Sequence, residues 1–344
     1  MKIDNQKTAS NNPAFVIAEI GQAHDGSVGI LHSLIDSIAQ TGVQVIKFQM
    51  HIASAESSIR DQFRIPFSRI DATRQDYWKR MELTMDQWRD VKLHCESLGC
   101  EFLCTPFSVK AVEALEELGV SRYKVGSGDI DNHLLLEAIC RTAKPVILSS
   151  GMSSFDELDE AMGIFRDRGR DIVVMQCTSE YPSAPKRWGL NLIRELKERY
   201  KLPVGLSDHS GTIYPSLAAV ALGASLIEVH ATFDKGMFGP DSSSSLEMAE
   251  LYTLVQGVKQ ISESLLNPLK KDIKEDIGRM KMLFGRSLTT SKNILQGSAL
   301  CFEDLEAAKP AGYGMPPSMF YKVLGRKLKR SLVKGEFIME DDIE

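Results

Sequence analysis

The stretch from Pro203 to His230 reads PVGLSDHSGTIYPSLAAVALGASLIEVH. A short apolar run, Pro203–Ser207, ends in polar residues. A helical pattern over Tyr214–Leu222 follows, and a second apolar run, Leu226–His230, ends in histidine. Neither run alternates polar with apolar residues, as expected of strands covered on both faces of a parallel sheet. The stretch therefore reads as strand, helix, strand, with polar groups gathered where the strands end.

The same texture extends towards the N-terminus. Further strands are expected at Phe15–Ile20, Val43–Gln49, Glu101–Thr105, Arg122–Val125, Pro145–Ser149 and Ile172–Cys177. Helical patterns lie between them at Gly29–Gln40, Met85–Leu98, Val109–Leu118, Phe155–Arg168 and Gly189–Arg199, and Ala249–Leu265 follows the last strand. Ser154 with Glu157 three residues on is a capping-box signal, and Gly42, Gly99 and Gly169 stand where helices stop. Eight strands alternating with helices predict a (β/α)8 TIM barrel of the α/β class. The alternative is an open doubly wound sheet, but no G-x-G-x-x-G turn follows the first strand.

Beyond the barrel, residues 1–268, the texture changes. Residues 269–284 are charged and read as a linker. Residues 285–344 hold short β-like pieces, turn glycines Gly297 and Gly335, and the Pro/Gly segment Lys309–Pro317, which together indicate a small separate domain. Arg286-Ser-Leu288 and Arg330-Ser-Leu332, each followed by a turn glycine and an acidic-Asp pair, suggest two related halves.

The 344 residues carry a net charge of −5, so no global basic field is present to hold nucleic acid. No apolar stretch is long enough to cross a bilayer, and the N-terminal MKIDNQKTASNNP has no apolar core for a signal peptide. Six cysteines are scattered without a C-x-x-C pair, which fits reduced thiols in a cytoplasm.

In such a barrel the chemistry sits at the C-terminal ends of the strands. Those ends carry Glu19, Lys47, Gln49, Thr105, Lys124, Ser127, Ser149, Thr178, Ser207, His209 and His230. His209 and His230 end neighbouring strands and are candidate ligands of a divalent ion such as Mn²⁺, Fe²⁺, Zn²⁺ or Co²⁺. His24 is a candidate supporting partner; His51 reads equally well as a loop histidine. Lys47 and Lys124 lie in otherwise apolar strands, where an ammonium needs a partner. They are read either as salt-bridged or, with Thr105, Ser127, Ser149 and Ser207, as the walls of a phosphate or carboxylate site. Glu19 is a candidate metal or water ligand, a general base, or a partner of Lys47. Asp208 is read as an orienter of His209 or a turn cap.

These motifs resemble the sialic acid (N-acetylneuraminate) synthase family. The resemblance rests on Ile17-Ala-Glu-Ile-Gly21, Ile46-Lys-Phe-Gln49, Cys104-Thr-Pro-Phe-Ser108, Tyr123-Lys-Val-Gly-Ser-Gly128, Gln176-Cys-Thr-Ser-Glu-Tyr-Pro182, Gly205-Leu-Ser-Asp-His209, Glu228-Val-His230 and Gly239-Pro-Asp241. Residues 285–344 resemble that family's antifreeze-like domain. The resemblance implies a domain-swapped homodimer that joins phosphoenolpyruvate to an N-acetylmannosamine-like aldehyde, giving a nonulosonic acid and phosphate. Mn²⁺, or alternatively Mg²⁺ or Co²⁺, is implied at His209 and His230, with Glu19 beside it. Phosphoenolpyruvate is implied to meet Lys47, Thr105, Lys124, Ser127, Ser149, Ser179 and Ser207; the sugar is implied to meet Gln49, Asp129, Tyr181, Asp241 and Lys309.

Several positions depart from the family pattern. Ser179 stands where the family usually has Asn, Asp129 where it often has Glu, and Ala23 where it often has Asn before His24. Where the family carries an arginine that reads the N-acetyl group, aligning the glycines puts Pro310, and a one-residue insertion puts Lys309. Lysine lacks arginine's planar fork. A diacetamido-hexose of the legionaminic or pseudaminic type and a phosphorylated sugar are therefore alternative substrates, and an inactive sugar-binding homologue is a further alternative. A metal-dependent hydrolase barrel is disfavoured, because the first strand has no His-x-His.

Overall fold

The computed structural model describes residues 12–65, 67–271 and 275–344. Residues 1–11, part of the segment inspected above for a signal peptide, and residues 272–274 of the charged segment lie outside the described residues. The chain divides into two compact units, Met1–Pro268 and Leu269–Glu344.

In the first unit, eight parallel strands pair in chain order. They are β1 (Phe15–Glu19), β2 (Val45–Met50), β3 (Glu101–Pro106), β4 (Tyr123–Val125), β5 (Val146–Ser149), β6 (Ile172–Cys177), β7 (Val204–Asp208) and β8 (Leu226–Thr232). β8 pairs back onto β1, so the sheet is a closed (β/α)8 barrel and the open-sheet alternative is excluded. The helices end where the sequence indicates. Ser154 and Glu157 form the reciprocal capping box, and Gly119 closes Val109–Leu118 in the left-handed region at φ 70°.

Helix His133–Arg141 makes the crossover from β4 to β5. Its run of three leucines hides the helical period, because Leu135 and Leu136 are buried while Leu134 is 74% exposed. The crossover from β2 to β3 is longer, with helices Ala53–Glu56, Arg74–Met81 and Met85–Ser97. Before the last of these, Tyr77, Trp78 and Met81 pack with Phe63 and Phe67 into a separate small cluster.

Strand side chains alternate between the barrel interior and the surrounding helices. Phe15, Ile17, Val45, Leu103, Ile147, Val173, Met175 and Leu226 form one interior cluster. Val16, Ala18, Ile46, Phe102 and Val174 belong to the larger core beneath the helices. Two residues further along the inward parity stand Glu19, Lys47, Thr105, Ser149, Cys177 and Glu228. The same alternation that fills the barrel with hydrocarbon thus brings polar groups together at its upper end. Register levels them, pairing Glu19 with Lys47 on one side and with His230 on the other, and Ser207 with Glu228.

In the second unit, Ser287–Thr290 pairs antiparallel with Leu305–Ala308 around a core of Leu288, Ile294, Leu300, Met315, Val323, Leu328, Leu332, Ile338 and Ile343. The two related halves are present, but their register differs from the sequence reading. Lys292 bonds Asp304 at 2.7 Å and Arg330 bonds Asp342 at 2.6 Å, so Arg330 corresponds to Lys292 rather than to Arg286. Gly297 (φ 78°) and Gly335 (φ 80°) make equivalent turns. The segment expected to be a linker carries helix Glu275–Phe284.

Gly205 faces the interior where no side chain fits. A Cβ there would lie 2.6 Å from Leu226 Cγ and 2.7 Å from the Leu226 carbonyl oxygen. Gly205→Ala is expected to destabilise the barrel by about 1–3 kcal/mol through overpacking, read as a lower midpoint in urea; an unchanged midpoint would show that the strands yield there.

Candidate active site

The upper end of the barrel holds a cavity of about 450 Å³. Its floor is a cluster of four buried charges. Lys47 Nζ lies 2.7 Å from Glu19 Oε1 and 3.3 Å from Glu228 Oε1. Lys124 Nζ lies 3.1 Å from Glu228 Oε1 and donates to Ser149 Oγ at 2.7 Å. Ser207 Oγ donates to Glu228 Oε1 at 3.1 Å.

Burial raises the Glu19 carboxyl, but His230 and Lys47 outweigh it and hold the group well below the usual carboxylate range. Burial likewise raises Glu228, and Lys124 and Lys47 bring it below its ordinary value. The two ammonium groups part company. Burial lowers Lys47, but Glu19 and Glu228 raise it above the ordinary value. Burial lowers Lys124, and Glu228 does not offset it. Lys124 is thus the cation with unsatisfied demand for negative charge.

Above the floor, His209 and His230 face each other with ring centres 5.4 Å apart. His209 Nδ1 donates to the Thr178 carbonyl at 2.9 Å, so Nε2 is the nitrogen that could ligate an ion, once its proton is displaced. His230 Nε2 lies 3.2 Å from Glu19 Oε2. Burial lowers the His209 pKa, but Cys177 and the Thr178 carbonyl outweigh it and bring the group to about 9. Among the described residues, no three His, Cys, Asp or Glu side chains are spaced to hold an ion on their own. The fit is to an ion held by two imidazoles, with the remaining positions taken by water or ligand.

Two further observations point to a small polar ligand. Thr105 Oγ1 and Glu228 Oε2, both in the cavity wall, are buried without a partner among the described residues. Native proteins rarely leave such atoms unpaired, and a ligand is the usual remedy. Beside them, Ser127 Oγ and Ser179 Oγ converge on Gly151, where a Cβ would lie 2.6 Å from each. Ser127, Ser149, Ser179 and Ser207 line the same cavity as Lys124, and hydroxyls beside an ammonium suit an oxyanion.

Residues 34–270 match the model of the NeuB family, and residues 285–344 match that of the SAF domain. The chain belongs to the NeuB family. It is 32% identical over 331 residues to N,N'-diacetyllegionaminic acid synthase of Campylobacter jejuni, covering 94% of this chain and 98% of that protein. It is 32% identical over 339 residues to N-acetylneuraminate-9-phosphate synthase of Homo sapiens, covering 97% and 93%. The crystal structure of N-acetylneuraminic acid synthetase from Leptospira borgpetersenii in complex with citrate superposes with a TM-score of 0.69 at 32% identity, covering 78% of this chain and 90% of that one.

In this NeuB-family barrel, most residues singled out in the sequence line the one cavity. Besides those above, Gln49 donates to Glu19 Oε1 at 2.7 Å, Tyr181 stacks on His209 with centres 4.1 Å apart, and Asp129 and Asp241 stand at the rim. Lys309 lies in the C-terminal unit, with Nζ 5.0 Å from the centre of the Phe284 ring. His24 accepts from the Gly26 N–H and is no partner of His209 or His230. Asp208 is a turn cap, taking the Ser210 N–H at 2.8 Å and Ser216 Oγ at 3.0 Å. His51 is a wall residue stacked between Trp78 and Phe107, at 3.9 and 4.5 Å.

Glu228 is the member of the floor to which sequence reasoning gave no role. Counting back two from His230 along an inward-facing strand would have found it. Removing it leaves two buried ammonium groups with one carboxylate, so Glu228→Gln is expected to cost about 3–5 kcal/mol. Added inorganic phosphate should raise the melting temperature of the variant more than that of the wild type. The Glu228 carboxyl is depressed in the fold, so its contribution is complete above the unfolded-state value of about 4.3 and is lost as pH falls through the folded value. The variant should therefore lose less stability on acidification than the wild type; parallel curves would remove Glu228 from the cluster's energetics.

Proposed function

We propose that the protein is a phosphoenolpyruvate-dependent condensing enzyme that makes a nonulosonic acid from an amino-sugar aldehyde. The carrying observation is the convergence in one cavity of Lys124, Ser127, Ser179, Ser207 and a Thr105 hydroxyl with no partner among the described residues, beside two imidazoles. The names of the two relatives above support the product class. We extend the reading to a cytoplasmic homodimer in which the C-terminal unit of each copy caps the partner's barrel.

In this reading Lys124, Ser127, Ser179 and Ser207 take the phosphate and Lys47 with Thr105 the carboxylate of phosphoenolpyruvate. Bonding the substrate's anionic ends leaves its C3 carbon directed towards the imidazole pair. His209 and His230 would hold a divalent ion, Mn²⁺, Mg²⁺ or Co²⁺, which when bound supplies a Lewis acid for the aldehyde oxygen. Gln49, Tyr181 and Asp241 hold the open-chain sugar so that its C1 meets C3 at bonding distance. As that bond forms, positive charge develops at C2. Glu19, held as a carboxylate, accepts a hydrogen bond from water and aims its oxygen at C2. Water adds at C2, one of its protons passing to the alkoxide left from the aldehyde; the tetrahedral centre then collapses to the keto acid, the remaining hydroxyl proton leaving with phosphate as the C2–O bond to it breaks beside Lys124.

Phosphate release from phosphoenolpyruvate is expected only when an amino-sugar and a divalent ion are both present; release that persists after chelation would overturn the metal assignment. His209→Ala and His230→Ala are each expected to lower kcat by about a hundredfold or more with the melting temperature retained. Lys124→Ala should raise the KM for phosphoenolpyruvate by about tenfold or more, the loss of one charge-assisted contact. An unchanged KM would take Lys124 out of the anion site.

A further inference from the structure

Arg64 is not among the residues that either the sequence reading or the proposal above employs. It lies in the irregular stretch between Ala53–Glu56 and Arg74–Met81. From there it crosses the barrel mouth to the loops after β6 and β8. Its guanidinium stands 4.0 Å from the centre of the Tyr181 ring, and Nη2 donates to Asp241 Oδ1 and to the Pro240 carbonyl, both at 2.8 Å. Arg64 therefore touches the two rim residues assigned above to the sugar. It is 42% exposed, and its Nε and Nη1 have no partner among the described residues, so part of its donor fork stays available.

The surroundings fix what that fork can take. Glu56, Asp61, Asp129 and Asp241 share this outer part of the cavity with only two guanidinium groups, Arg64 and Arg74. Each is paired with one carboxylate, Arg64 with Asp241 and Arg74 with Asp61 at 3.5 Å, which leaves Glu56, beside His51, and Asp129 without a guanidinium and the wall with an excess of carboxylate. A phosphate group on the sugar would meet more carboxylate than free cation. A neutral acylamino group meets a different wall, with N–H groups for its carbonyl oxygen and the rings of Phe63, Phe67 and Phe107 for its methyl.

We propose that Arg64 is a specificity residue of the acceptor site, donating to the carbonyl oxygen of an acylamino substituent, and that the acceptor carries no phosphate. The proposal rests on the condensing function given above. Its sign separates it from a simple plug. If Arg64 only covered Tyr181 and Asp241 in the free protein, removing it would open the site and lower the sugar KM. If it binds the sugar, removing it raises that KM.

The test is steady-state phosphate release by the full chain with phosphoenolpyruvate and three acceptors: N-acetylmannosamine, a 2,4-diacetamido-hexose and N-acetylmannosamine 6-phosphate. The wild type should prefer an unphosphorylated acceptor by about tenfold or more in kcat/KM. Arg64→Ala should raise the KM of that acceptor by about tenfold, the worth of one charge-assisted hydrogen bond, and leave the KM for phosphoenolpyruvate and the melting temperature unchanged. Arg64→Lys, which keeps the charge and loses the fork, should recover only part of the loss. An unchanged or lowered sugar KM in Arg64→Ala, or preference for the phosphorylated acceptor, overturns the role of Arg64 while leaving the condensing function intact. No release with any acceptor removes both.

Discussion

The constraint on which the site depends is the presence of two lysines inside a closed barrel. Lys47 and Lys124 are buried at 3% and 2% exposure, where an unpaired ammonium costs several kcal/mol. Glu19 answers Lys47 from the neighbouring strand β1, and Glu228 on β8 reaches both lysines across the barrel interior. The four groups can meet only because closing the sheet brings β8 against β1 and levels Glu19 with both Lys47 and His230. A slip of one residue in any of these strands would send its charge into the helix-facing hydrocarbon and bring an aliphatic side chain inward. Register and charge pairing therefore enforce each other.

Pairing within the cluster is not symmetrical, and that asymmetry gives the site its polarity. Lys47 is shared by two carboxylates. Lys124 has only the shared Glu228 oxygen and a serine hydroxyl. An incoming anion thus finds more unbalanced positive charge on the β4–β5 side of the floor. The imidazoles stand on the opposite side, over β7 and β8. A ligand with an anionic end and a reactive carbon would be oriented across the cavity by this separation, before any contact at the rim.

How much of this was legible in the chain follows from the same physics. Strands buried on both faces read as apolar runs, so the eight strands and the barrel could be expected, and the polar residues at their ends pointed to the cavity. Glu228 escaped because it lies mid-strand between apolar residues, visible only through the inward parity of Leu226 and His230. Helix His133–Arg141 escaped because Leu134 exposes an apolar side chain and breaks the period. The repeat in the C-terminal unit was visible, but the shared Arg-Ser-Leu wording set the wrong register; the Lys292–Asp304 and Arg330–Asp342 pairs define the true one. Arg64 carried no signal. It sits on no strand and in no motif, and its partners, Tyr181 and Asp241, lie more than a hundred residues away.

That last case marks a division within the molecule. Floor residues are held by strand parity, sheet register and buried charge, so a change at any of them disturbs the others. Rim residues are held by loops. Arg64 reaches Tyr181 and Asp241 from an irregular segment whose own anchor is the small cluster of Tyr77, Trp78, Met81, Phe63 and Phe67, apart from the barrel core. Side chains on such a segment can be exchanged with little effect on the floor, because the two regions share no packing cluster. In the proposed reading, bond formation and the choice of acceptor therefore rest on different parts of the fold. A barrel built in this way can retain one reaction while its β2–β3 crossover is altered to admit another sugar.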